Sequence, residues 1–392
     1  MPPNSHILLD AVFNCTYNHF LIKNDNHFQI ERDMYKYKEK RRGRRGIAAL
    51  LMIILLALPP AAAGCSAGGA SGPEAEDGML QIVATIFPAF DLAREASGGQ
   101  AHVSMLLRPG EEIHSYEPTP MDIRMIRDCD LFIYTGGEND VWVDQILDNM
   151  GDQAPQTLRM VELVETVEEE HVEGMQDLHH EHSHEEGEED HAHEEEAHED
   201  EDHAHEHSGD SSEHDHEEID EHVWTSPVNA AIITEAIAET LCTLDPSRAE
   251  HFRSCAAAFR EQAMELDTAF RKIVEEGNRT TIVFGDRFPV RYFAEEYGLD
   301  YYAAFPGCAS ESEPSAATMA FLIDKVREEK IPVVFSIELS SGTIARAIAE
   351  SSGAVQRTFH TCHNVTRDEF ESGASYLSLM RGNLEVLREA LQ

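Results

Sequence analysis

Basic residues are scarce in this chain, which has 30 Lys and Arg against 74 Asp and Glu and a formal net charge of -44. The imbalance is concentrated between Glu168 and Glu221, where the sequence has 26 acidic residues, 13 histidines and no Lys or Arg. Such a charge repels the phosphates of nucleic acids. We therefore do not expect DNA or RNA as a partner.

The same segment has almost no aliphatic or aromatic side chains, so it cannot bury enough apolar area to offset the entropy lost on ordering. We predict a disordered insert over 168–221. Tracts rich in histidine bind zinc or nickel, but a disordered chain binds a metal more weakly than a preformed site. The insert is expected to collect metal for a site elsewhere, and the alternative is a solvated charge run. The candidate loop ligands are His179, His180, His182, His184, His191, His193, His203, His205 and His207.

An apolar run long enough to span a bilayer comfortably is missing near the start, where Ile47 to Leu58 amounts to 12 residues. It follows the basic stretch KYKEKRRGRRG and precedes LPPAAAGC, which is typical of an export signal. The ending AAGC resembles a bacterial lipoprotein signal, and ordinary signal cleavage is the alternative. We expect a signal peptide over 34–65 with Cys65 acylated as a membrane anchor, and thus an extracytoplasmic protein. Residues 1–33 are interpreted as a miscalled start and 66–78 as a flexible tether.

No Asn-Gly or Asp-Gly turn separates the short apolar runs after Met79, so crossover connections are favoured over hairpins. Alternation of these runs with amphipathic stretches predicts an α/β fold of two lobes, 79–245 and 278–392, each a mostly parallel sheet with crossover helices. The strand candidates are LQIVATIF, HVSMLL, LFIYTG and TLRMVEL, then TTIVFG, DYYAAF, PVVFSIEL and AVQRTFH. Helices are predicted after Pro120, over Val228–Leu244, and near Pro289, Pro314, Gly342 and Ser375.

One long rigid helix is predicted between the lobes, over 246–277. Apolar residues from Phe252 to Ile273 recur at intervals of four and three, which places them on one face of a helix. At 1.5 Å per residue this face is about 33 Å long, enough to brace two lobes. A coiled-coil dimer is the alternative, but the chain is expected to be a monomer because paired charges flanking the stripe are lacking.

Four histidines follow or lead out of predicted strands, where ligands bind in parallel α/β sheets. His114 follows HVSMLL, His222 follows the insert, and His360 and His363 follow the last strand. Imidazoles that converge from such loops suit a transition metal.

Five stretches resemble the family of bacterial metal-binding lipoproteins that deliver zinc or manganese to ABC importers. They are RPGEEIHSYEPTP, DEHVWTSPVNA, RYFAEEYGL, ESEPSAATMAFLIDKVREEKIPVVFSIEL and YLSLMRGNLEVLREAL. The resemblance covers essentially all of Met79 to Gln392. It implies a protein that captures one metal ion between two lobes and docks on an ABC permease that works with an ATPase.

The resemblance also implies ligands, residue by residue. His114 matches the family's first ligand and His222 its second, but Arg287 stands at the third position, and a guanidinium has no lone pair to offer. We expect His363 as the third ligand and His360 or Glu338 as the fourth. Asp286 is a possible carboxylate neighbour, and a salt bridge from Arg287 to a nearby carboxylate is the structural alternative. Nitrogen-rich ligands favour Zn²⁺, with Mn²⁺ as the alternative.

An enzyme is not expected, since the working domains contain no His-Glu-x-x-His and no Gly-x-Ser-x-Gly motif. A zinc hydrolase that uses the same cleft is therefore the weaker hypothesis. A surface metal buffer or adhesin without a transporter is a further alternative. Among the cysteines, Cys308 and Cys362 are the preferred disulfide pair because both follow strands, and buried free thiols are the alternative.

Overall fold

The computed structural model describes residues 78–111, 116–175, 219–307 and 313–392. In these residues, eight strands form two four-stranded sheets, and every pairing between strands is parallel. The strands of the first sheet are β1 (Leu80–Ala84), β2 (Ala101–Met105), β3 (Leu131–Tyr134) and β4 (Gln156–Arg159). Those of the second are β5 (Thr281–Phe288), β6 (Asp300–Pro306), β7 (Val333–Ile337) and β8 (Val355–Phe359).

The two sheets share one topology, with strand orders β2-β1-β3-β4 and β6-β5-β7-β8. The inner strands β3 and β7 are buried along their whole length, as continuous apolar runs in parallel sheets should be. The predicted fold class, two parallel α/β lobes, is confirmed. Since all strands of a sheet run the same way, their carboxyl ends share one edge, and loops from that edge can converge.

Helices cover these sheets at the predicted places, with starts that follow from local capping. Thr119 caps one helix, Ser226 the next and Ser315 a third. Three helices were not predicted, of which Phe87–Ser97 is buried on most sides and thus lacks a clear amphipathic period. The helices are Phe87–Ser97, Pro120–Asp128, Val141–Met150, Pro227–Leu244, Ala249–Glu275, Arg291–Tyr297, Ala316–Glu328, Thr343–Ser352, Arg367–Glu371 and Tyr376–Leu391.

The helix Ala249–Glu275 joins the two lobes, which confirms the predicted linking helix. Its apolar stripe is buried inside this chain, so it does not need a second copy as in a coiled coil. One exposed face pairs with the first lobe, where Arg253 binds Glu239 at 2.6 Å. Further along, Arg271 pairs with Glu296 of the second lobe. A single helix fixed at both ends is stiffer than a flexible hinge.

The ends of the predicted insert belong to the folded part of the protein. Glu168 forms an antiparallel bridge with Ile219, and the Asp220 amide donates to the Val167 carbonyl at 2.9 Å. Glu170 lies on the second lobe, where its carboxylate is 3.3 Å from the Arg291 guanidinium. The predicted insert boundaries at 168 and 221 were therefore too wide.

The preferred disulfide is wrong, because the structure has Cys362 as a free, buried thiol. Cys129, Cys242 and Cys255 are also free and buried, as in the alternative prediction. Cys362 is completely buried, at a backbone position with a positive φ of 62°. Cys65 and Cys308 lie outside the described residues, as do the histidines predicted within the insert.

Within the part of the chain that the structure describes, no helix combines the length and the apolar character that crossing a bilayer requires.

Candidate metal centre

His222 lies in a short buried stretch between the end of the insert and the helix Pro227–Leu244. Its ring is fully buried, and Asp220 holds it by one carboxylate oxygen, which accepts from the His222 amide at 2.8 Å and lies 3.1 Å from Nδ1. When Nδ1 donates to a carboxylate, the lone pair of the neutral ring is left on Nε2. Nε2 has no hydrogen-bond partner among the described residues. This is the orientation of a metal-ligating histidine.

The charge around His222 also affects its proton affinity. Burial lowers the pKa of this imidazole, but Asp220 and then Glu221 raise it, and the net result is a pKa above the ordinary 6.5. A metal ion that binds Nε2 must therefore displace a proton more often in mild acid than in neutral solution.

His363 lies in the loop after β8, and Glu338 at the end of β7 fixes that loop. The Glu338 carboxylate accepts from the Thr361 amide at 2.7 Å, the Thr361 hydroxyl at 2.6 Å and the His363 amide at 2.9 Å. Both carboxylate oxygens are thus bound, and the side chain is 6% exposed. The contacts of Glu338 are those of an anchor for the loop that carries His363.

The rings of His222 and His363 meet between the lobes. Their centroids are 5.2 Å apart at an interplanar angle of 80°, and Trp224 packs against both rings at 5.4 and 5.3 Å. Two imidazoles bound to one zinc at about 2 Å and a tetrahedral angle have ring centroids about 5 Å apart. The observed pair of rings therefore fits a shared tetrahedral ion.

His360 is engaged differently. Its amide donates to Asn383 at 2.8 Å, and its Nδ1 accepts from the Cys362 amide at 3.0 Å. The proton of the neutral ring is then on Nε2, which is 3.9 Å from a carboxylate oxygen of Glu369. Neither ring nitrogen offers a lone pair to a metal in this arrangement.

A cavity of about 30 Å³ adjoins His363, one of the two histidines. Asn364 holds the loop after β2 of the first lobe against this cavity. Its side-chain amide donates to the carbonyls of Arg108 and Glu111 at 3.0 and 2.8 Å. Glu111 precedes His114 by three residues, and His114 itself lies outside the described residues. The cavity is lined by Leu107, Glu111, Arg287, Ile337, Glu338, Leu339, Thr361, His363 and Asn364.

Among the residues described, no three His, Cys, Asp or Glu side chains come close enough to hold a metal. Arg287 lines the cavity at the position of the missing ligand, and its amide donates to the Asp286 carboxylate at 3.0 Å. Burial raises the pKa of Asp286. Sequence reasoning missed Asp220, although a carboxylate two residues before a histidine is a usable signal for an orienting partner.

Two parallel α/β lobes braced by one helix, with imidazoles presented between them by loops, define the class of solute-binding proteins. The chain belongs to the family described as zinc-uptake complex component A, periplasmic (ZnuA), whose model matches residues 82–390. The predicted resemblance is thereby confirmed, and so is the expectation of a binding protein in place of an enzyme.

Curated relatives bear names of the same kind. The zinc-binding lipoprotein AdcA of Streptococcus pneumoniae (strain ATCC BAA-255 / R6) is 28% identical over 322 residues, which are 81% of this chain and 57% of AdcA. The chain thus spans little more than half of that relative. The high-affinity zinc uptake system protein ZnuA of Bacillus subtilis (strain 168) is 26% identical over 321 residues, 81% of this chain and 89% of that protein.

Solved structures share the fold. The Zn(II)-bound ZnuA-like domain of Streptococcus pneumoniae AdcA has a TM-score of 0.61 and 25% identity, and the match covers 80% of this chain and 99% of that domain. The laminin-binding protein Lmb of Streptococcus agalactiae, described as having adhesin and metal-transporting activity, also has a TM-score of 0.61, at 24% identity over 80% of this chain and all of that one. The second likeness shows the fold alone.

Proposed function

We propose that this protein captures Zn²⁺ in the cleft between its lobes and delivers the ion to an ABC permease and its ATPase. The observation that carries the proposal is the pair of rings from His222 and His363, whose separation of 5.2 Å suits two ligands of one tetrahedral ion. The Asp220 carboxylate supports the proposal further. When it accepts the proton of His222 Nδ1, the lone pair of the neutral ring is on Nε2, where a metal can bind it.

His114 is the proposed third ligand. The loop that leads to it is held against the second lobe by Asn364, and Glu111 already lines the cavity beside His363. His114 stands three positions after Glu111, so the chain can reach the histidine pair. The ligands are then three imidazoles, and nitrogen-rich sites favour zinc over manganese.

The two accessory parts of the proposal fall outside the described residues. The histidines of the insert would collect zinc near the membrane, and the acylated Cys65 would anchor the protein there. The described ends of the insert support a coupling between loop and cleft, because Asp220 ends the insert and also holds the ring of His222.

Competition titration of the mature chain with zinc and with manganese tests the proposal. A strong chelator keeps the weaker sites of the insert empty, so that only a tight site is counted. We expect one tight zinc per chain, lost in His222→Ala and in His363→Ala and retained in the control His102→Ala, a histidine exposed on β2. Tight zinc that survives both cleft substitutions would place the site elsewhere, and manganese bound more tightly than zinc would identify a manganese carrier.

A further inference from the structure

A strap, residues 167–175, leaves the first lobe and crosses onto the second. Its base belongs to the first lobe, where the Val161 amide, a few residues before the strap, donates to the Thr135 carbonyl at 3.1 Å. The chain that returns antiparallel to the strap carries Glu221, whose carboxylate accepts from the backbone and the side chain of Asn139. Both sides of the base are therefore attached to the first lobe.

The other end of the strap contacts three successive elements of the second lobe. Glu170 lies 3.3 Å from Arg291 in the helix after β5, and it accepts from the Tyr301 hydroxyl of β6 at 3.2 Å. Glu173 lies 3.9 Å from Lys325 in the helix after β6. The strap is thus a connection between the lobes in addition to the linking helix.

Packing holds this end of the strap more firmly than charge does. The Glu170 and Glu173 side chains are 50% and 75% exposed, and ion pairs in contact with solvent contribute little. Gly174, by contrast, has a φ of +88° and lies directly against the Phe321 ring, so that a Cβ atom at this position would overlap the ring. Met175 follows it, is only 8% exposed and belongs to the main hydrophobic core.

We propose that the strap limits how far the two lobes can separate, and that Gly174 and Met175 attach it to the second lobe. Two amides outside the strap also cross between the lobes. Gly110 donates to the Val365 carbonyl at 2.8 Å, and Tyr376 donates to a buried carboxylate of the first lobe at 2.7 Å. These bonds break when the lobes separate, so their exchange with solvent reports the opening. Because the strap acts on the lobes themselves, it operates with the cleft empty or filled.

Hydrogen exchange of the mature chain in the presence of a chelator, read by mass spectrometry of peptides that contain Gly110 or Tyr376, tests the proposal. Gly174→Ala sets a methyl group against the Phe321 ring, and overpacking of this kind should speed exchange at both amides roughly tenfold. Met175→Ala removes a buried side chain without adding a clash and should change exchange in the same direction.

Gly353→Ala is the matched control. Gly353 has a φ of +87°, so alanine meets the same backbone strain there as at Gly174, but a Cβ atom at Gly353 meets open space. Exchange at Gly110 and Tyr376 should stay as in the parent chain. Faster exchange confined to peptides of the strap in both test variants would overturn the proposal, because the strap would then be a packed loop that does not restrain the lobes. Equal acceleration in Gly353→Ala, or acceleration that extends to β3 and β7, would also overturn it, because it would reflect a general loss of stability.

Discussion

Asp220 is the residue whose substitution tests the geometry of the cleft most directly. It is buried, and one oxygen of its carboxylate receives both the His222 amide and Nδ1 of the His222 ring. Asp220→Asn keeps an oxygen that can accept these bonds but removes the charge. Asp220→Ala removes the acceptor too, so the ring loses the contact that fixes its tautomer and orientation.

The size of the effect follows from this difference. Removing a partner that orients a ligating histidine costs about 10- to 100-fold in metal affinity, or roughly 1.4 to 2.7 kcal/mol. Asp220→Asn, which retains an acceptor, should lie near the tenfold end of that range. Asp220→Ala should lie near the hundredfold end.

The difference in zinc affinity between the parent chain and Asp220→Asn should become smaller as the pH falls. Although burial opposes protonation, the Asp220 charge raises the pKa of His222 above 6.5, so protons compete with zinc for the parent ring as the pH falls toward 6.5. Asp220→Asn lowers that pKa and so reduces the competition. The stability that the protonated His222 gives the parent chain without zinc is present below 6.5 and lost as the pH rises through the raised pKa, and this dependence should weaken in Asp220→Asn.

The assay is zinc competition over a range of pH, with circular dichroism to confirm folding. Asp91→Asn is the control, since Asp91 is a buried carboxylate that accepts from the Tyr376 amide at 2.7 Å and contacts neither histidine of the pair. If folded Asp220→Ala binds zinc within about twofold of the parent chain, Asp220 does not orient a ligand and the reasoning is refuted.

Three further outcomes are expected. Tyr292→Phe removes a hydroxyl that donates to the Asp220 carbonyl at 2.7 Å and accepts from the Val167 amide. The unfolding free energy should fall by about 1–3 kcal/mol, and zinc affinity should fall as well. Tyr297→Phe in the same helix is the control and should leave zinc affinity unchanged in titration. Glu338→Gln sets an amide against the backbone donors of the His363 loop and should lower unfolding free energy without zinc by a similar amount; unchanged stability in denaturant would contradict its role as an anchor. Burial raises the pKa of Asp91 from 3.8 to about 6, so folded stability should decline as the pH rises between these values, and Asp91→Asn should flatten that slope in pH-dependent unfolding.

The fold could be predicted from sequence because its signals are local. Eight apolar runs of strand length and a helical stripe from Phe252 to Ile273 carry their own periodicity, and each requires burial on one face or both. The helix Phe87–Ser97 was not predicted because it is buried on most sides and therefore lacks that periodicity. The limits of the insert were not predicted either, because Glu168 and Glu170 have the charge of a disordered segment. In the fold, Glu168 bridges Ile219 at the other end of the insert, and Glu170 pairs with Arg291 of the second lobe.

By itself, the sequence determined the class of the fold, the histidine candidates and the absence of a lone pair at Arg287, because these depend on residue type and spacing along the chain. Only the tertiary structure decided which candidates meet. In the fold, the rings of His222 and His363 lie together, Nδ1 of His360 accepts from the Cys362 amide, and the Glu338 carboxylate binds the loop that carries His363. The physical reason is that a ligand needs a free lone pair at the right place, and hydrogen bonds from residues distant in the chain determine which lone pairs are left.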